Sequence, residues 1–314
     1  MKRKLFVTGI LFLLFFLIRF PQEALTASRE GMKLWLNTLL PTLLPFIILT
    51  SFLIHTDGIE KIFAPMKRFW AFFFGLSSSG AYALILGLLC GYPMGAKIAS
   101  DLYGHGKISR SEAEYLLTFS NNASPAFLTT YLAQICLNGQ IPLKQIIGIL
   151  LLSDLLSMVF FRFFVFHNKT VTASPEQSTT SKKETSAVSS FGTLLDVSIM
   201  NGFETITRLG GYILLFSIIS AVISHYWKFS LLSRLLILGT LELTTGLHQL
   251  AESVLVLPIR YLCSMCMTSF GGICIMAQTK SILHKNLSLA PYMVSKILNA
   301  VFTGIIILVF AQIV

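Results

Sequence analysis

Charge is what this sequence has least of. Only 12% of its 314 residues are Asp, Glu, Lys or Arg, and just 14 of them are acidic, against about 25% charged residues in an ordinary soluble domain. With 54% hydrophobic residues and a mean hydropathy of +0.74, the chain carries more apolar surface than one soluble core can hide, which excludes a soluble globular protein and leaves a polytopic membrane protein. Cysteine is scarce too. Cys90, Cys136, Cys263, Cys266 and Cys274 all lie in apolar stretches, where a thiol behaves as a small hydrophobe, so no disulfide framework is expected. Cys263 and Cys266 form a lone CxxC without a second pair or a histidine cluster; zinc usually takes about four ligands, so helix packing is the reading and no metal is expected. No HExxH is present, and GLSSSG at Gly75 to Gly80 lacks the GxSxG spacing of a nucleophile elbow. GYPMGAK, at Gly91 to Lys97, separates its glycines by three residues and has neither Ser nor Thr after the lysine, unlike a phosphate loop. Neither an enzyme nor a cofactor is expected.

The basic excess, a net charge of +10, is scattered between apolar segments and forms no stripe, so nucleic acid is not an expected partner. Loop lysines and arginines that set membrane topology account for it. Lys2, Arg3 and Lys4 precede an apolar run from Leu5 to Ile18, the charge order of a signal peptide. A processing site would want small residues, and a site after Ala27 would place Leu25 third from the cut. The expectation is an uncleaved first span with its connector, residues 1–30, and a cytoplasmic N-terminus.

Apolar segments follow at residues 31–54, 70–90, 115–137 and 142–167, then at 191–208, 209–226, 231–251, 259–278 and 291–314. Each is long enough, or nearly so, to cross about 30 Å of hydrocarbon. Between the two sets lies 168–190, whose Ser, Thr and Lys content is that of a flexible linker. The predicted fold is all-α, with about 8–10 transmembrane or re-entrant helices, in two internal repeats (31–167 and 191–314) built on broken helices. Pro41 and Pro45 in the first half and Gly210 and Gly211 in the second are expected to mark corresponding bends.

The breaks are the sites of interest, because unpaired backbone and buried polar side chains persist in hydrocarbon only where protein or a watery cavity meets them. The first is Gly91, Tyr92, Pro93, Met94, Gly95, Ala96, Lys97, and about thirty residues on come Ser120, Asn121, Asn122, Ala123, Ser124, Pro125. The second half has Glu242, Leu243, Thr244, Thr245, Gly246, then Ser269, Phe270, Gly271, Gly272, with Gln278 about two turns later. Gly87, Gly91 and Gly95 recur every four residues, which on one helix gives a close-packing face. Lys97 is read either as reaching the interface, as pairing with Asp101 one turn on, or as holding an anion. The carboxamides of Asn121 and Asn122, with Ser124 and Pro125, read as an unwound turn that binds polar parts of a solute. Glu242 is the candidate for a coupling proton or cation, with Arg208 and Lys97 as alternative partners; His248 is read as structural. Tyr92 and Phe270 are candidates to stack on an aromatic ring. The expected partners are the lipid bilayer and a small anionic solute, and a homo-oligomer is left open.

Several of these stretches carry a resemblance. LCGYPMGAK at Leu89 to Lys97, Asp101 to Tyr103, SEAE at Ser111 to Glu114, SNNASP at Ser120 to Pro125, GTLELTTG at Gly239 to Gly246 and SFGGICIMAQ at Ser269 to Gln278 together resemble the sporulation integral membrane protein YlbJ (SpoVV) family. That family is itself similar to the nucleoside-recognition or Gate-domain membrane proteins. The resemblance spans nearly the whole chain and implies a bacterial membrane protein of endospore formation that moves dipicolinic acid across the outer forespore membrane. Ala123, Ser124 and Met276 depart from the family's pattern, which bears on the substrate more than on the fold.

Overall fold

The computed structural model describes residues 2–55, 64–167 and 191–313; the expected linker at 168–190 lies outside them. Every regular element among the described residues is helical, as the apolar periodicity implies. Five helices are long and apolar enough to cross a membrane: Pro21–Ile54, Leu143–Val165, Phe191–Tyr226, Leu257–Ile282 and Ala290–Val309. A sixth is Lys67–Phe74 with Ser78–Cys90 if that pair, bent by 70°, counts as one span, and Val7–Arg19 and Leu231–Leu241 are shorter apolar helices.

Helix α1 (Lys2–Arg19) leads into α2 (Pro21–Leu34), which continues through a π turn at Trp35–Leu39 into α3 (Leu40–His55). The wider turn immediately precedes Pro41 and Pro45, whose missing N–H groups interrupt the regular ladder. Next, α4 (Lys67–Phe74) and α5 (Ser78–Cys90) meet at a sharp corner. Gly75 turns left-handed there (φ +66°) and the Ser77 hydroxyl caps α5 by accepting from the Gly80 N–H at 3.0 Å. The buried Glu112 carboxylate accepts from the Ser77 N–H at 2.6 Å.

Two elbows follow. In the first, α5 passes through Gly91 to Pro93 into α6 (Met94–Gly104); in the second, α7 (Arg110–Ser120) passes through Asn121 and its neighbours into the π-wound α8 (Phe127–Cys136). The straight helix α9 (Leu143–Phe160) comes next. After α10 (Phe191–Tyr226) the order recurs: α11 (Leu231–Leu241) and α12 (Leu243–Ala251) make a third elbow at Glu242. Helices α13 (Leu257–Phe270) and α14 (Ile273–Ile282) are interrupted a fourth time, at Gly271 and Gly272, within the one span Leu257–Ile282, and α15 (Ala290–Ile313) follows them as α9 followed α8.

Two expectations are corrected. No break occurs at Gly210 and Gly211, since α10 is one helix of 36 residues. Gly210 serves instead as a seat for Trp35, whose ring lies 2.5 Å from where a Cβ would stand and whose indole N–H donates to the Ile206 carbonyl at 2.9 Å. The three glycines at 87, 91 and 95 do not share one helix face either, because Gly91 leaves the helix at φ +82°. Gly87 and Gly95 face each other across the elbow, so that a Cβ on Gly87 would stand 2.8 Å from the Gly95 Cα; close approach is served by a turn and not by a stripe.

One core gathers α5, α6 and α7 around Ala81, Met94, Tyr115 and Leu116. A second joins α8 and α9 to α12, α13 and α15 through Leu132, Ile146, Leu247 and Met265, so the two sets of elbows share an interior. Outward, α9, α10 and α15 present Leu151, Met200 and Leu308, the apolar exterior that lipid requires.

Candidate functional site

The four elbows come together. Tyr92 donates its backbone N–H to the Asn122 carbonyl at 2.6 Å. Gly91 packs against Ser124 so closely that a Cβ would lie 2.7 Å from the Ser124 nitrogen; with its positive φ, this position admits no side chain. The first and second breaks are therefore one unit. Gly272, at φ +94°, brings the fourth against the third, its Cβ position 3.5 Å from the Gly239 and Leu241 carbonyls and the Leu243 nitrogen, and the Gly271 Cβ position is 4.0 Å from the Tyr92 ring. Across the halves, the Tyr131 hydroxyl donates to the Thr244 carbonyl at 3.0 Å, and the Asn121 amide donates to the Thr279 hydroxyl at 3.2 Å.

The predicted residues divide into three groups. Tyr92, Asn121, Asn122, Ser124, Ser269, Gly271 and Gly272 stand at or beside the meeting point, with Pro93 at the turn and Gly95 under the backbone of Ser120 and Asn121. Glu242, Thr244, Thr245 and Gly246 form a self-contained cap: the Glu242 carboxylate accepts from the Thr244 N–H (3.1 Å), the Thr245 N–H (2.6 Å) and the Thr244 hydroxyl (2.7 Å). The N-terminus of α12 thus already holds an anion, and Gly246 packs on Gly239. Lys97 and Gln278 are engaged elsewhere. The Lys97 ammonium, in a residue only 6% exposed, donates to both Asp101 carboxylate oxygens (2.6 and 2.7 Å) and to the Asn201 side-chain oxygen (3.1 Å). The helical ion pair with Asp101 forms. Gln278 donates to the Cys274 sulfur at 3.2 Å.

At the second break the structure adds residues that the motifs did not single out. Asp154 lies midway along Leu143–Val165 and Lys296 within Ala290–Val309, both membrane-crossing helices. The Lys296 ammonium donates to the Asn122 side-chain oxygen, and the Asn122 amide donates to the Phe119 carbonyl at 2.8 Å. The Asn299 amide donates to the Asp154 carboxylate at 2.8 Å, and the ammonium stands 5.5 Å from the Tyr292 ring centre. Asn122 thus holds the Lys296 ammonium of α15 and, with the Asp154 carboxylate of α9, lines one cavity. The signal was present in the sequence. A single acid inside IIGILLLSDLLSMVFF is a functional candidate by default in a membrane helix, whereas Lys296, among Tyr292, Ser295 and Asn299, stands out less.

Beside this cluster is a cavity of about 140 Å³, bounded by Leu88 and Leu89 at the end of α5, Asn122 and Pro125 at the second break, Asp154 on α9, and Ser269 at the end of α13. Lys97, Glu242 and Gln278 are outside its lining. An apolar cavity of about 150 Å³ admits benzene, so one aromatic ring fits.

The comparisons with known proteins bear on the same chain. It is similar over 97% of its length to "Sporulation integral membrane protein YlbJ" of Bacillus subtilis (strain 168), 25% identical across 337 aligned residues that cover 81% of that relative. This similarity agrees with the resemblance carried by the motifs. No protein-family model and no solved structure matches the chain.

Proposed function

We propose that the chain is a secondary carrier of a small carboxylated aromatic, dipicolinic acid, acting in a bacterial membrane during endospore formation. One observation carries the reading: three of the four interrupted helices border a ring-sized cavity whose lining includes a buried asparagine and a half-buried aspartate. Interrupted helices meeting at a polar cavity are the usual construction of a carrier's binding site, because freed backbone and buried side chains then recognise a solute. The relative's name supplies sporulation, and sporulation with a ring-sized cavity beside a buried ammonium suggests dipicolinate. The site has no nucleophile paired with a base, which favours movement of a solute over its conversion.

The test is uptake of radiolabelled dipicolinate into proteoliposomes containing the purified protein. Saturable uptake is expected for the wild type, with Asn122→Ala lowering it about tenfold or more while the protein still inserts and folds, since Asn122 holds the buried Lys296 ammonium and lines the cavity. Absence of uptake under every ion and pH gradient, with nucleosides and other small acids also tried, would sink the carrier reading in favour of a membrane scaffold.

A further inference from the structure

The Asn122, Asp154, Lys296 and Asn299 cluster is incompletely satisfied. Asn299 is 0% exposed and its Oδ1 has no hydrogen-bond partner, and the Tyr92 hydroxyl is likewise buried without one. Buried polar groups are nearly always paired, and the exceptions call for an explanation such as a ligand or water. The pair is also placed unlike a simple structural bridge. Asp154 and Asn122 open onto the cavity, Lys296 is 1% exposed and reaches the cavity edge through Asn122, and the two charges come from separate helices. A lysine stripped of water needs an anion beside it in every state of the protein, and the chain offers it one that a ligand can replace.

Of the buried lysines at the elbows, Lys97 is held by both oxygens of Asp101 and by Asn201, which leaves no donor free for a solute. Lys296 has a single carboxamide oxygen and a neighbouring carboxylate.

We propose that Lys296, with Asn122 beside it, is the anion-binding point of the carrier, and that Asp154 is a resident carboxylate which the ligand's own carboxylate displaces. This rests on the carrier reading above. The ring of the ligand lies in the cavity against Leu88, Leu128 and Leu150, and its carboxylate meets the ammonium. Asp154, once displaced, keeps the Asn299 amide. Because Asn122 belongs to the second break and its carbonyl receives the Tyr92 N–H of the first, exchange of the lysine's partner is felt at both elbows of the first half.

The experiment measures binding of radiolabelled dipicolinate to detergent-solubilised protein and its uptake in proteoliposomes. It compares wild type, Asp154→Asn, Lys296→Arg and the double variant Asp154→Asn with Lys296→Met, and thermal unfolding of each serves as the folding control. The double variant buries no net charge and is expected to fold even where Lys296→Met alone fails. It is expected to bind about tenfold or more weakly, as loss of a charge-assisted bond implies, and Lys296→Arg to stay within about threefold of wild type. Asp154→Asn, lacking the competing carboxylate, is expected to bind at least as tightly as wild type. A folded double variant that binds and transports like wild type makes the pair purely structural and overturns the assignment while leaving the carrier intact. Weaker binding by folded Asp154→Asn overturns the displacement, and tenfold weaker binding by folded Lys296→Arg overturns the role of the cation. Wild type that neither binds nor moves dipicolinate or another small acid removes the carrier reading and this assignment together.

Discussion

A methyl group on Gly246 would land on the backbone of Gly239, and backbone cannot turn aside as a side chain can. Gly246→Ala is therefore expected to cost about 1–3 kcal/mol through overpacking. Gly148, inside α9, has nothing within 4 Å of its Cβ position, so Gly148→Ala is expected to stabilise by about 0.5–1 kcal/mol through helix propensity. Thermal unfolding in one detergent checks both, and equal shifts for the two would contradict the crossing at Gly239. At this scale the sequence was legible where a residue broke the pattern of its own segment, as Asn122 does; Asp154 breaks its segment too, and the reading passed over it. It was not legible where the partner is remote, as for Lys97, whose ammonium also binds Asn201 104 positions on; Glu242 was misread for another reason, since it looks like a spare charge until the nearby N–H groups of Thr244 and Thr245 are seen to be its partners.

The elbows were legible as elements because Gly, Pro and Asn cannot continue a helix without cost, and Gly91 to Pro93, Asn121 to Pro125, Glu242 and Gly271 to Gly272 all interrupt helices. The same logic applied to Gly210 and Gly211 failed, since the residue that decides the matter, Trp35, is 171 positions away. Gly210→Leu is expected to expel the indole from its seat beside Ile206. The fluorescence of Trp35, read in a chain with Trp70→Phe and Trp227→Phe, should shift to the red, whereas Gly211→Ala, with open space at its Cβ, should leave it unchanged. An unshifted spectrum for Gly210→Leu would mean that helix α10 and the π turn do not pack as described.

For the whole molecule, composition alone carried the class, and the pairing of elbows across the halves was beyond it, because bonds such as Tyr131 to Thr244 join residues with no local signature. Lys2, Arg3 and Lys4 predict an N-terminus on the cytoplasmic side. A cysteine in place of Lys4, in a chain freed of its native cysteines, is expected to react with a membrane-impermeant thiol reagent in inside-out vesicles and not in right-side-out ones; the reverse pattern would overturn the topology. The placement of Asp154 on α9 and Lys296 on α15 has a consequence for biogenesis. Helix α9 is synthesised before α15, so the nascent chain carries an uncompensated acid while α10 to α14 are made, and the counter-charge emerges last among the described helices. Neither half can settle its final helix alone, which makes assembly of the interior wait for the end of translation and gives a truncated chain a marker, an orphaned carboxylate in lipid, by which quality control can know it.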